Sequence, residues 1–156
     1  MAVQWLATAV VLALAVTTTA SAQTLDKKVL SLEAATKIAA AADAAARARG
    51  VGVVIAVVDE GGHLILLHRL DDAQVASVNV SIGKARTAAI YRRPSREFEE
   101  QIRAGRVAAL ALADSTPLQG GIPIRLDGKV IGAIGVSGDT PLVDEAIAIA
   151  GASVFR

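Results

Sequence analysis

The chain has 156 residues, the size of one domain, and is 53% apolar with only four aromatics, Trp5, Tyr91, Phe98 and Phe155. Sixteen Lys and Arg against fifteen Asp and Glu argue against nucleic-acid binding through bulk positive charge, and the apolar content argues against a disordered chain. Cys is absent and the only Met is Met1, which excludes disulfides, thiolate zinc sites and thiol catalysis.

Residues 1–22 carry no charged side chain. The apolar run from Val10 to Val16 is followed by Thr17-Thr18-Thr19 and by Ala20-Ser21-Ala22. This pattern predicts a secretory signal peptide with an Ala-x-Ala cleavage site, although its charged n-region is missing. A mature domain of residues 23–156, beginning at Gln23 and secreted or periplasmic, is the expectation. The rival is a membrane anchor. A span needs about 20 apolar residues, and the Thr/Ser stretch shortens the run below that.

Ser31 is placed to cap a helix from Leu32 to about Arg49, closed by Gly50. Leu32, Ala35, Ile38, Ala39, Ala42 and Ala45 make its apolar stripe. Val51–Val58 is a β-branched run expected as a strand covered on both faces. Asp59-Glu60-Gly61-Gly62 is a hairpin turn into a strand from His63 to about Leu70. Asp71 or Asp72 is expected to cap a second helix to about Arg92, with Val75, Val78, Ile82, Ala85 and Ala89 buried and Ser77, Ser81, Lys84 and Tyr91 on another side. Pro94 ends it, and Ser95 starts a short acidic helix. Gly105–Asp114 reads as helix. Ile122–Leu126 and Lys129–Val136 form a hairpin about Asp127-Gly128, and Pro123 implies the start or edge of a sheet. Thr140 caps the last helix, with Pro141 at its first position. Two hairpins among helices predict one α+β layered sandwich, with a mostly antiparallel sheet of about five strands.

Few residues carry chemistry. His63 and His68 are five apart on a strand and point to opposite faces, so one metal cannot take both. Each can be a single axial ligand to haem, and Tyr91, beside Arg92 and Arg93, can bind ferric haem as a phenolate. The plainer alternatives are a solvated turn residue for His63, a hydrogen-bonded core residue for His68 and a packed helix-end aromatic for Tyr91. Lys84 can contact an anionic ligand or lie on the surface. Gly83-Lys84 is not a phosphate loop, because no strand precedes it and Lys84 sits inside a helix. Ser137 lacks the Gly-x-Ser-x-Gly elbow of hydrolases.

Several stretches together carry a resemblance: Asp59-x-Gly-Gly-His63, Arg69-Leu70-Asp71, Gly83–Ala88, Gly120-Gly121-Ile122-Pro123, Asp127-Gly128, Gly132–Gly138, Asp144-Glu145-Ala146 and Ala150-Gly151. The chain resembles the GlcG/HbpS-like family, also called the haem-degrading domain or DUF336, from about Leu30 to Phe155. The resemblance implies a profilin-like α-β sandwich that self-associates into dimers up to octamers, with haem binding in some members and haem breakdown claimed for some. Leu70 stands where the family has Met, and Asp72 where it has Gly. The resemblance and the donors above put His63, His68, Arg69, Lys84, Tyr91, Gly121 and Pro123 forward as cofactor-binding residues. His63 and Tyr91 are the iron ligands put forward.

The leading expectation is an exported haem-binding protein that captures, stores or senses haem, as a homo-oligomer and with a sensor or membrane protein as partner. The alternatives are an enzyme acting on a small oxygenated metabolite, with Lys84, Asp59, Asp71 or His63 as acid or base, and an interaction module whose product is the oligomer itself.

Overall fold

The computed structural model describes Gln23 and residues 25–155; the segment 1–22 lies outside the described residues. Helix α1 (Leu32–Arg47) follows Ser31, whose Oγ accepts from the Ala34 N–H at 3.1 Å. Ser31→Ala should cost about 1 kcal/mol, the usual worth of such a cap; an unchanged urea midpoint would contradict it. Strands β1 (Val54–Asp59) and β2 (Leu64–Arg69) form the first hairpin. Helices α2 (Ser77–Ile90) and α3 (Arg96–Arg103) and a 3₁₀ turn (Val107–Ala111) lead to strands β3 (Gly121–Leu126) and β4 (Lys129–Ser137). Helix α4 (Pro141–Ala152) starts at Thr140, whose side chain accepts from the Val143 N–H.

Among the described residues the sheet has four antiparallel strands in the order β2-β1-β4-β3, against about five expected from the sequence. The α+β sandwich is as expected. Val53, Ile55 and Val57 face α1 and α4, while Ala56 and Val58 face α2. With both faces covered, the β-branched run of β1 is buried throughout. Pro123 lies on the edge strand β3, where its missing N–H costs no ladder bond to an outer neighbour. Asp127 and Gly128 both have positive φ, 50° and 75°, as a type I′ turn requires.

Three expectations are corrected. Neither Asp71 nor Asp72 caps α2, which begins at Ser77 after Ala76 with no side-chain cap. Asp72 instead adopts φ 63°, and residues 71–73 pass tightly over Gly52, where a Cβ would meet the Asp71 carbonyl at 2.7 Å. Leu32 points to solvent rather than into the α1 stripe.

The third correction concerns which face of α2 is buried. Ala85 and Ala89 are buried as expected and Ile82 packs beside them, but Val75 is 73% exposed, and Ser77, Ser81 and Lys84, expected on another side, are buried against the sheet. Glycines in the strands explain this choice. A Cβ at Gly135 would fall on the Ser81 carbonyl oxygen and the Ala85 nitrogen, and one at Gly121 on the Lys84 carbonyl. The helix backbone rests directly on the sheet backbone, so this interface takes small side chains rather than branched apolar ones.

Candidate functional site

Because β1 runs antiparallel to both of its neighbours, and β3 to β4, the two hairpin turns lie at one end of the sheet. The end of α2 and the extended segment before α1 join them there. Together they enclose a cavity of about 880 Å³. Its apolar wall includes Leu25, Ala89, Leu126, Val130 and Ile131. Five cations line it, Lys27, Lys28, Arg92, Arg125 and Lys129, against three carboxylates, Asp26, Glu60 and Asp127.

Two ion pairs hold the N-terminal segment over this end, the half-buried pair of Lys27 and Glu60 at 2.6 Å and the exposed pair of Lys28 and Asp127 at 2.9 Å. The Lys28 ammonium, by hydrogen bond and charge, holds the Asp127 carboxyl below the usual carboxylate range. Glu60 Oε2 is buried without a hydrogen-bond partner among the described residues. This wall oxygen is free to accept a donor or a metal.

His63 lies on the turn at the same end. Its side chain is 81% exposed, and its Nδ1 lies 3.4 Å from Asp59 Oδ1. That carboxylate also accepts the backbone N–H groups of Gly61 and His63, which fixes the turn. The His63 ring is not hydrogen-bonded among the described residues, and both its nitrogens remain open to solvent or a ligand.

The other sequence-based candidates are scattered. His68 pairs in register with Ile55 and is exposed at the edge of the α1–α4 face. Arg69, exposed on the opposite face, donates to the Ala73 carbonyl at 3.2 Å. The Tyr91 hydroxyl donates to the Ala113 carbonyl at 2.7 Å, and its ring packs edge-on against Phe98 at 5.1 Å. His63, His68 and Tyr91 therefore do not form one donor cluster. Among the described residues, no group of three or more His, Asp and Glu side chains is placed to share a metal.

Lys84 sits at the opposite end of the sheet and lines neither cavity described here. Its Nζ donates to Asp144 Oδ2 at 2.8 Å and to the Val136 carbonyl at 3.0 Å, and both side chains are at most 5% exposed. Burial pushes the Asp144 carboxyl above its ordinary range; Lys84 and the Asp139 and Gly138 N–H groups pull the other way without prevailing. Beside this pair, the Gln119 side chain donates to Glu145 Oε2, and its N–H to Glu99 at 2.6 Å. The residues thus pin α2, α3, β4 and α4 together.

Gly121 is buried beneath α2, while Ile122 and Pro123 line a second cavity of about 400 Å³. Apart from Arg92, named only as a neighbour of Tyr91, the cations of the large cavity escaped the sequence reading, as did the roles of Gln119 and Glu145. The only traces are the Lys27-Lys28 and Arg92-Arg93 pairs and the Asp144-Glu145-Ala146 stretch.

Known proteins resemble the chain along most of its length. GlcG of Escherichia coli (strain K12) is 43% identical over 111 residues, 71% of this chain and 83% of GlcG. The crystal structure of HbpS superposes with a TM-score of 0.79 at 33% identity, covering 86% of this chain and 95% of HbpS. A crystal structure of a PduOC:haem complex superposes with a TM-score of 0.75 at 25% identity, covering 83% of this chain and 96% of the other. Residues 30–153 match the family model described as haem degrading protein HbpS-like, and with this sandwich, these hairpins and these relatives the chain belongs to the HbpS-like family.

Proposed function

We propose that this chain binds haem in the cavity at the hairpin end. The observation that carries the reading is the cavity itself, whose volume falls within the range of about 300–1,000 Å³ for cofactor sites. Its apolar wall suits a porphyrin face, and its excess of Lys and Arg suits two propionates. Donors for iron are at hand: Glu60 offers a buried unpartnered oxygen in the wall, and His63, outside the lining itself, offers a solvent-open imidazole on the same turn. Likeness to a haem-bound structure supports the same reading.

The role we propose is haem capture or storage outside the cytoplasm, with residues 1–22 removed as a signal peptide. Gln23 as the first residue of the exported protein, by intact mass, is the expected result; an uncleaved chain in the membrane fraction would overturn it. Self-association is part of the same reading, since Leu64, Val75, Val107 and Leu110 are large apolar residues open to solvent. Light scattering tests it, with a monomer as the contrary result.

Hemin titration followed by absorbance tests the binding. One haem per chain with a shifted Soret band is expected. His63→Ala should change the band and weaken binding about tenfold, equivalent to about 1.4 kcal/mol. Lys28→Glu with Lys129→Glu should weaken it independently and make the residual affinity less sensitive to salt. Absence of a Soret shift in the unaltered protein, or equal binding by all variants, would reject the proposal.

A further inference from the structure

The smaller cavity lies on the outer side of β3, away from His63, and shares Arg125 with the larger one. Its walls come from β3, α4, the start of α3 and the 3₁₀ turn Ser153–Phe155. Ile122, Pro123, Ile149 and Phe155 supply apolar surface, and Arg96, Arg125 and Glu145 supply charge.

The three charges are differently committed. Glu145 is almost fully buried, accepts from the Gln119 amide and lies 3.5 Å from Arg96. Arg96 is thus partly neutralised, and Glu100 at 3.6 Å adds to this. Arg125 is held instead by two uncharged acceptors, the Arg92 carbonyl at 2.6 Å and the Gly128 carbonyl at 3.3 Å. Both acceptor residues line the hairpin-end cavity, so these bonds hold the guanidinium at the boundary of the two cavities, and they leave part of its five-donor fork for a ligand. Two arginines against one carboxylate give the lining a single excess positive charge.

We propose that this cavity, which borders that of haem at Arg125, is a second binding site for a small organic monocarboxylate with an apolar body. The carboxylate lies on the Arg125 fork, where paired N–H donors match its two oxygens. The apolar body packs on Ile122, Ile149 and Phe155. The volume of about 400 Å³ admits a single-ring or short-chain acid. Glu145 repels a second negative charge, which disfavours dicarboxylates and phosphate.

Calorimetric titration of the full chain with benzoate and with benzamide, its neutral counterpart of similar shape, tests the proposal. Benzoate should bind at least tenfold more tightly than benzamide, and succinate should bind more weakly than benzoate. Arg125→Gln should abolish the difference between benzoate and benzamide. Ile149→Trp, at a partly exposed position absent from the hairpin-end cavity, should fill this site and abolish benzoate binding while hemin affinity stays unchanged. Equal binding of benzoate and benzamide, or benzoate affinity surviving Ile149→Trp in a folded variant, would overturn it.

Discussion

Lys84→Met is expected to destabilise the protein by about 3–5 kcal/mol, because removing one member of a buried ion pair strands the other charge. The stranded group is Asp144, which is 3% exposed and keeps only backbone N–H donors such as that of Asp139 at 3.0 Å. The sign of the pH dependence follows from its environment. Burial already holds this carboxyl above its ordinary range, and losing the Lys84 ammonium raises it further. A carboxyl raised in the folded state favours folding fully below its unfolded value of about 3.9 and loses that contribution as pH rises through the folded value. The deficit of Lys84→Met relative to the unaltered protein should therefore be large at neutral pH and shrink on acidification.

Asp144→Asn should be similarly costly at neutral pH but without relief in acid, since it leaves an ammonium beside a neutral amide. Lys84→Met combined with Asp144→Leu should recover most of the loss, as apolar replacements of buried pairs often do. Urea denaturation at several pH values measures all three variants. Single variants within about 1 kcal/mol of the unaltered protein would be surface-like behaviour and would contradict the enclosed pair.

Gly135→Ala is expected to cost at least as much as a severe overpacking change, about 1–3 kcal/mol or more. The added Cβ meets backbone on the other side, the Ser81 carbonyl and the Ala85 nitrogen. Backbone held in a helix cannot change rotamer to make room, so α2 must lift from β4. Gly121→Ala should act alike through the Lys84 carbonyl. Ser81→Ala is the contrasting variant. Its hydroxyl bonds only within its own helix, to the Val78 carbonyl at 2.9 Å, so it should change stability by under about 1 kcal/mol. Thermal unfolding of the three variants checks the order. A glycine variant as stable as Ser81→Ala would show that α2 does not rest on those glycines.

These two predictions also mark where the sequence was readable. The Ser31 and Thr140 caps, Pro141, both hairpin turns and the doubly covered β1 were legible because each depends on residues within a few positions. The buried face of α2 was legible only in part. Hydrophobic periodicity selected Val75 and Val78 together with Ile82, Ala85 and Ala89; the last three do pack inward, but the sheet presents Gly121 and Gly135, which bring the small side chains of Ser77 and Ser81 against it as well. Lys84 shared that small, polar face, so a buried lysine looked like an exposed one; its partner Asp144 is 60 positions away. Adjacent glycines in the Gly120-Gly121 and Gly132–Gly138 stretches were the usable signal. The hairpin-end cavity was still less visible, because its cations come from four segments that meet only after the sheet has formed. The resemblance supplied the family and the haem expectation, whereas the individual donors were spread over both faces and ends.

The site's location is most directly tested by amide NMR of the isotopically labelled full chain during titration with ferric hemin, whose iron broadens nearby signals. The expected result is selective broadening at Leu25–Lys28, Glu60–His63, Ala89–Arg92 and Leu126–Ile131, reaching completion at one haem per chain. Broadening that spares the hairpin end and gathers around Lys84, His68 or the β3 edge would contradict the assignment of the large cavity to haem.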